Sequence, residues 1–352
     1  MGVTAHWIDS DPVSNKWKLN SEVAAFQAIS GVHSGKNISH YLVNSLDRFG
    51  ILTQTHSKLL CITANNATNN DTMCDDVETI LSHRCIFTFN STTHHLPCLA
   101  HVLNLAITDI MSVITNIAAV ETTTAIWEFN PTVSGNHIFG DSIDVIAALR
   151  TLAIKIQASG QRILYFNRMQ AECGILNPLT IPLHSNVRWG TADGMLGCAY
   201  LLRQPINLFV NSADELFGPI TTICRPGMPV KRIPWMAFSF QPADWERIND
   251  FRNIISDANS LQQAFSSDRQ ATLWQAIPAF EELQSAWEKK QTSLALSPYK
   301  SALERGLAKI RKYYTKFDEK PAYVLALGTS MAVGSLESSQ LTLSFYSSPP
   351  VL

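Results

Sequence analysis

Residues 62–71, ITANNATNND, change character halfway along. Leu59 to Thr63 form a short continuous apolar run, the pattern of a strand covered on both faces. An Asn- and Thr-rich turn follows, and then Met73, Val77, Ile80 and Leu81 recur at helical spacing. A buried strand that opens into a polar turn and a helix is where α/β folds place their chemistry. Working outward, a helix opens near Ser34, with Ile38, Tyr41, Leu42, Leu46 and Phe49 on one stripe and Gly50 as its stop. Gly2 to Ile8 and Trp17 to Ile29 contain β-favouring runs, separated by the turn-rich DSDPVSN of residues 9–15. Ile86 to Phe89 reads as a further short strand. Strands therefore come first and then alternate with helices.

From Leu99 onward the periodicity is helical, with breaks at residues 130–141, 177–186 and 218–234. Val145, Ile146, Leu149, Leu152, Ala153 and Ile156 draw one stripe, and later helices are expected over residues 243–265, 269–289 and 298–316. After Leu327 the chain turns Ser-rich and nearly uncharged, and residues 328–352 are expected to be poorly ordered. Of 352 residues, 46% are hydrophobic and 16% charged, enough to fill a sizeable core. No apolar run approaches the ~20 residues that span a bilayer, and MGVTAHWIDSDPV has neither a basic nor an apolar leader region. A nuclear or cytoplasmic protein without membrane contact is the expectation. Seven cysteines with no CxxC pair suit reduced thiols. A net charge of −2 argues against an extended nucleic-acid footprint, so any DNA surface must be local.

Three short stretches, ITANNATNND (62–71), PCLAHVLNLA (97–106) and VRWGT (187–191), together resemble the core of hAT-superfamily DNA transposases, of the kind common in fungal genomes. The resemblance runs over residues 2–327. It implies a ribonuclease H-like mixed sheet flanked by helices with a large, mainly helical insertion, here a partial core over 1–118 and an insertion over 119–327. In that family three acids clamp Mg²⁺ or Mn²⁺ while an oxygen attacks phosphorus in line. The second acid ends the central strand in a pattern like ITxDNASNN, and this chain carries Asn65 there. The first acid is expected before Met1 and the third, a glutamate, beyond the region of resemblance. An asparagine supplies an oxygen without a charge. No catalytic residue is thus expected intact, and no cofactor is expected. The family's BED-type zinc finger and C-terminal dimerisation segment are likewise not recognisable.

Asp71, Asp75, Asp76 and Glu78 read as helix-start electrostatics and a solvated face rather than a rebuilt metal site. Cys98 and His101 form a CxxH pair at i, i+3 on a helix, within reach of one ion, but two ligands do not make a zinc site and packing is the plainer reading. His94 and His95, adjacent in an extended stretch, point to opposite faces, so at most one could join them. A hydrolase using Cys98 and His101 would lack an orienting base and an oxyanion loop. Arg188 and Trp189 match a family motif whose tryptophan is associated with the DNA end, although Val187 and His184 replace its Thr and acid. An indole there can stack on a displaced base, or it can pack under a snorkelling arginine. HSGKN (33–37) is a helix cap and not a phosphate loop. Lys309, Arg311, Lys312 and Lys316 make a basic patch on the last amphipathic helix. The resulting expectation is a degenerate transposase-derived protein unable to cleave or join DNA. The alternative is a non-catalytic nuclear module that binds DNA, a protein partner or a second copy through its helical insertion.

Overall fold

The computed structural model describes residues 1–10, 17–53, 55–116, 130–139, 142–183, 190–223, 230–265, 272–331 and 341–346. In chain order these form β1 (Gly2–Ser10), β2 (Trp17–Phe26), α1 (Gly35–Arg48), β3 (Leu59–Ala64), α2 (Thr68–His83), α3 (Ser91–His94), β4 (His95–Pro97) and α4 (Leu99–Ile114). There follow α5 (Val145–Gln157), α6 (Gly160–Glu172), α7 (Gly190–Leu201), α8 (Arg203–Phe217), β5 (Thr221–Ile223), β6 (Lys231–Ile233), α9 (Pro242–Phe265), α10 (Ala276–Thr292), α11 (Lys300–Asp318), α12 (Pro321–Met331) and β7 (Leu341–Tyr346). The chain is mixed α/β and mostly helical. It divides into a sheet unit, Met1–Leu103 with Leu261–Glu282 and Lys309–Leu352, and a helical unit, Asn104–Ser260 with Leu283–Ala308. The single cuts expected near residues 118 and 327 differ from this division. Four long helices, α4, α9, α10 and α11, each contribute residues to both units. No helix among the described residues is long and apolar enough to cross a membrane.

In the sheet unit the strand order is β2-β1-β7-β3-β4. β1 pairs antiparallel with β2 and with β7, whereas β3 pairs parallel with β7 and with β4. One buried cluster joins Val3 and Ala5 of β1, Leu59, Ile62 and Ala64 of β3, Leu42, Val43 and Leu46 of α1, and Met73, Cys74, Val77 and Leu81 of α2. The helix α1 starts where the cap predicts: the Ser34 hydroxyl accepts from the Asn37 backbone N–H at 3.3 Å. It ends at Phe49, and Gly50, with φ of +64°, turns the chain away.

Two sequence expectations are corrected in this unit. Ile86 to Phe89 is not a strand. Ile86 and Phe89 are buried at a spacing of three while Phe87 is largely exposed, so the burial lacks the two-residue period of a strand. The strand lies later, at His95–Pro97, where residues pair in register with Ile62–Ala64. The tail expected to be poorly ordered supplies the last turn of α12 and the central strand β7. LTLSFY is uncharged and β-favouring, and it hydrogen-bonds to strands on both sides.

The helical unit contains an unforeseen antiparallel pair, β5 and β6, within the break at residues 218–234. Its other joints are polar groups that end helices. Asp144, fully buried, caps α5 by accepting from the Ala147 N–H at 3.0 Å with one oxygen. The other oxygen takes the Thr115 hydroxyl and the Asn116 N–H at 2.9 and 2.7 Å. Burial still pushes its pKa up, against the pull of those donors. Asp214 of α8 accepts from the backbone N–H groups of Trp235 and Met236, and the Trp235 indole donates to the Gly218 carbonyl.

Candidate functional site

The C-terminal ends of β3 and β4 meet the start of α2. Asn65 follows the last residue of β3, and its backbone carbonyl accepts from the Ala67 N–H at 2.8 Å and from the buried Asn70 side chain at 2.7 Å. The neighbouring Ala64 carbonyl accepts from the Cys98 N–H at 3.0 Å, which ties the exit of β4 to the exit of β3. Asn69 donates to the His33 carbonyl at 2.9 Å and anchors the turn before α1. The Asn66 amide nitrogen is buried without a partner. Asn69 and Asn70 therefore use their side-chain amides to close backbone carbonyls around a strand-to-helix turn.

Three of the four acids near this turn have a polar partner. Asp71, in the first turn of α2, lies 3.5 Å from His95 Nδ1. Asp76 accepts from the Ser39 hydroxyl at 2.5 Å, and both Asp71 and Asp75 are exposed to solvent. Glu78 accepts from the Ser91 N–H at 2.7 Å and from the Asn90 amide at 3.0 Å, and the Ser91 backbone donor holds it below the usual carboxylate range. Of these four, Asp71 alone sits in the helix's first turn. β7, which pairs with β3, contributes no carboxylate anywhere in Leu341–Tyr346. No group of three or more His, Cys, Asp and Glu side chains able to hold an ion occurs among the described residues.

Cys98 and His101 serve the start of α4. The Cys98 carbonyl accepts the Val102 N–H, and its sulfur is approached by the backbone N–H groups of Ala100 and His101. Burial pushes the thiol up and the His101 imidazole down, so both favour their neutral forms. A thiol held in its neutral form is a poor nucleophile. His94 turns away from this pair, its Nδ1 accepting the Asn90 N–H at 2.9 Å.

His95 is what sequence reasoning undervalued. It is 8% exposed, and its Nε2 has no partner. Lys320, also buried, donates to the Thr92 carbonyl, and the Tyr323 hydroxyl donates to the Pro97 carbonyl at 3.4 Å, which fixes α12 beside α3 and β4. Burial holds the imidazole below its ordinary pKa of 6.5; Asp71 and Asp75 oppose this, and Lys320 and Lys316 reinforce it. Because the folded value lies below the unfolded one, the unfolded chain binds more protons between them, and stability is lost as the pH falls below 6.5. The slope is at most about 1.4 kcal/mol per pH unit for one such group. Thermal unfolding followed from about pH 7.5 to about pH 5 should show a falling midpoint whose slope is reduced in His95→Leu.

Arg188 and Trp189 lie outside the described residues. On α11, Arg311, Lys312 and Lys316 are exposed, and Lys316 lies 5.7 Å from the centre of the Tyr313 ring. The Tyr314 hydroxyl donates to Glu281 at 2.7 Å, which raises its pKa to about 12.

Residues 1–93, from the start of the chain through most of α3, match the family described as the ZBED1 RNase-like domain. Over 334 residues the chain is 21% identical to "Putative transcriptional regulator tpeD" of Talaromyces stipitatus, a match that covers 94% of this chain. It covers 33% of that protein, so the chain spans about a third of the length of the curated relative it matches. The N-terminal part of the chain is thus similar to an RNase-like domain, and nearly all of it is similar to part of a protein named as a regulator.

Proposed function

We propose that the chain is a ribonuclease H-like core with a helical insertion, derived from a hAT transposase, that does not perform metal-dependent DNA cleavage or strand transfer. The observation that carries this reading is Asn65 at the end of β3, beside a strand that brings no carboxylate. The similarity of residues 1–93 to the ZBED1 RNase-like domain supports the ancestry, and the mixed sheet with parallel β3 and β4 supports the fold. Along the sequence we favour a partial core over 1–118 and an inserted helical region over 119–327, of which residues 261–282 and 309–327 return to the sheet unit. No bound metal or other cofactor is part of this proposal.

Similarity over 94% of the chain to a protein named as a transcriptional regulator favours a non-catalytic nuclear module that binds DNA or a protein partner. Arg188 and Trp189 are the candidate DNA contacts, and the helical region is the candidate surface for a protein partner or a second copy. One experiment addresses both points: purified protein is incubated with supercoiled and end-bearing duplex DNA in Mg²⁺ or Mn²⁺. Intact DNA is expected from the wild type and also from Asn65→Asp, because one restored acid lacks its partners. Binding to duplex ends should weaken with salt and weaken further in Trp189→Ala. Nicking that disappears in Asn65→Ala would sink the proposal.

A further inference from the structure

The helical unit contains a cavity of about 180 Å³ lined mostly by apolar groups: Ala153 and Ile156 of α5, Ile163 and Phe166 of α6, and Leu179 and Ile181 of the extended segment after α6. That segment is fastened at three successive residues. Gln170, fully buried, donates from Nε2 to the Leu179 carbonyl at 2.9 Å and accepts the Leu179 N–H at Oε1 at 2.8 Å. The Gln157 amide donates to the Ile181 carbonyl at 2.7 Å, and the Cys198 thiol lies 3.7 Å from the Thr180 carbonyl. The backbone polar groups of the third wall are thereby turned toward glutamines, and its side chains are left to line an apolar space. A wall held in this way does not need to be ordered when something enters, and ordering is a main cost of binding.

We propose that this cavity is a binding site for a small apolar ring, of about seven to nine heavy atoms. An apolar engineered cavity of roughly 150 Å³ stays dry and takes benzene, so a volume of 180 Å³ suits toluene or indole. Ile163 and Leu179, each 38% exposed, are the walls that reach solvent and give a way in. The remaining polar lining, Gln157, Asn167 and Thr180, suits an edge N–H such as that of indole and offers no counter-charge for an ion.

The test uses the full chain with ¹³C-labelled isoleucine methyl groups, titrated with indole and with toluene. Saturable shifts confined to Ile156, Ile163 and Ile181 are expected, with half-saturation on the order of 1 mM. Ile163→Trp places a ring at the solvent-reaching wall; it should weaken indole at least tenfold while leaving the unfolding midpoint within about a degree of wild type. Imidazole, a smaller and polar ring, should produce no shifts at these methyls. The proposal is overturned by shifts spread over the isoleucines of both units, by equal shifts with imidazole, or by undiminished indole binding in a folded Ile163→Trp.

Discussion

Trp287→Ala is expected to destabilise the helical unit by about 3–5 kcal/mol, the range for removing a large aromatic from a closed core. Trp287 is fully buried on α10, its indole N–H donates to the Ile254 carbonyl of α9 at 3.1 Å, and its ring faces Gly306 of α11. A Cβ added at Gly306 would come within 2.9 Å of the Trp287 ring and 2.7 Å of Ile110 of α4. Segments of four helices are thus packed around one indole and one glycine, which leaves little freedom to collapse into the space that alanine would vacate. Trp287→Phe separates the two contributions. It keeps most of the apolar volume and loses the donor, and a cost of about 1–2 kcal/mol is expected. Urea unfolding followed through the signals of the helical unit measures both. A loss below about 1 kcal/mol for Trp287→Ala would show that this junction is not the closed core described here.

What could be read from the sequence was what depends on neighbours along the chain. The apolar run of β3, the Ser34 cap and stripe of α1, and the stripe of α5 each carry their period locally, and each element lies within a few residues of its expected position. The strand β4 is only three residues long and exists because Ile62–Ala64 offer it a register, so no local pattern could place it ahead of Ile86–Phe89. β7 is the extreme case. Its hydrogen-bond partners lie near the other end of the chain, and in a Ser-rich tail six uncharged residues give no hint of a central strand. At the site, the sequence placed Asn65 at the end of an apolar strand, and the structure has it directly after β3. The work of Asn69 and Asn70 was not legible, because their partners, the His33 and Asn65 carbonyls, are defined only once the turn has folded. His95 was legible only as a candidate ligand; the buried surroundings that keep it neutral come from residues as distant as Lys320.

Gly35→Ala tests whether the two helices beside the Asn-rich turn approach as closely as described. Gly35 opens α1 with an ordinary helical backbone, so alanine there would normally add about 0.5–1 kcal/mol of stability. Here a Cβ would fall 2.0 Å from the Thr72 hydroxyl, 2.6 Å from the Asn69 carbonyl oxygen and 2.7 Å from the Met73 nitrogen. The hydroxyl can rotate away, but the other two atoms are the backbone of α2's first turns, and they can move only with the helix. Overpacking of this kind costs about 1–3 kcal/mol and occasionally more; against backbone it should outweigh the propensity gain and leave a net loss of roughly 2 kcal/mol. Thr72→Ala in the same chain removes only the first of the three collisions, so the double variant should recover only a minority of the loss. The strain also has a direction. Asn69 holds the His33 carbonyl, so pushing α1 from α2 should loosen the turn that begins at Asn65, with faster amide exchange at residues 67–72 than at the buried middle of α2. If Gly35→Ala instead stabilised the chain, α1 and α2 would be farther apart than these contacts require. The amide network at the end of β3 would then need another anchor.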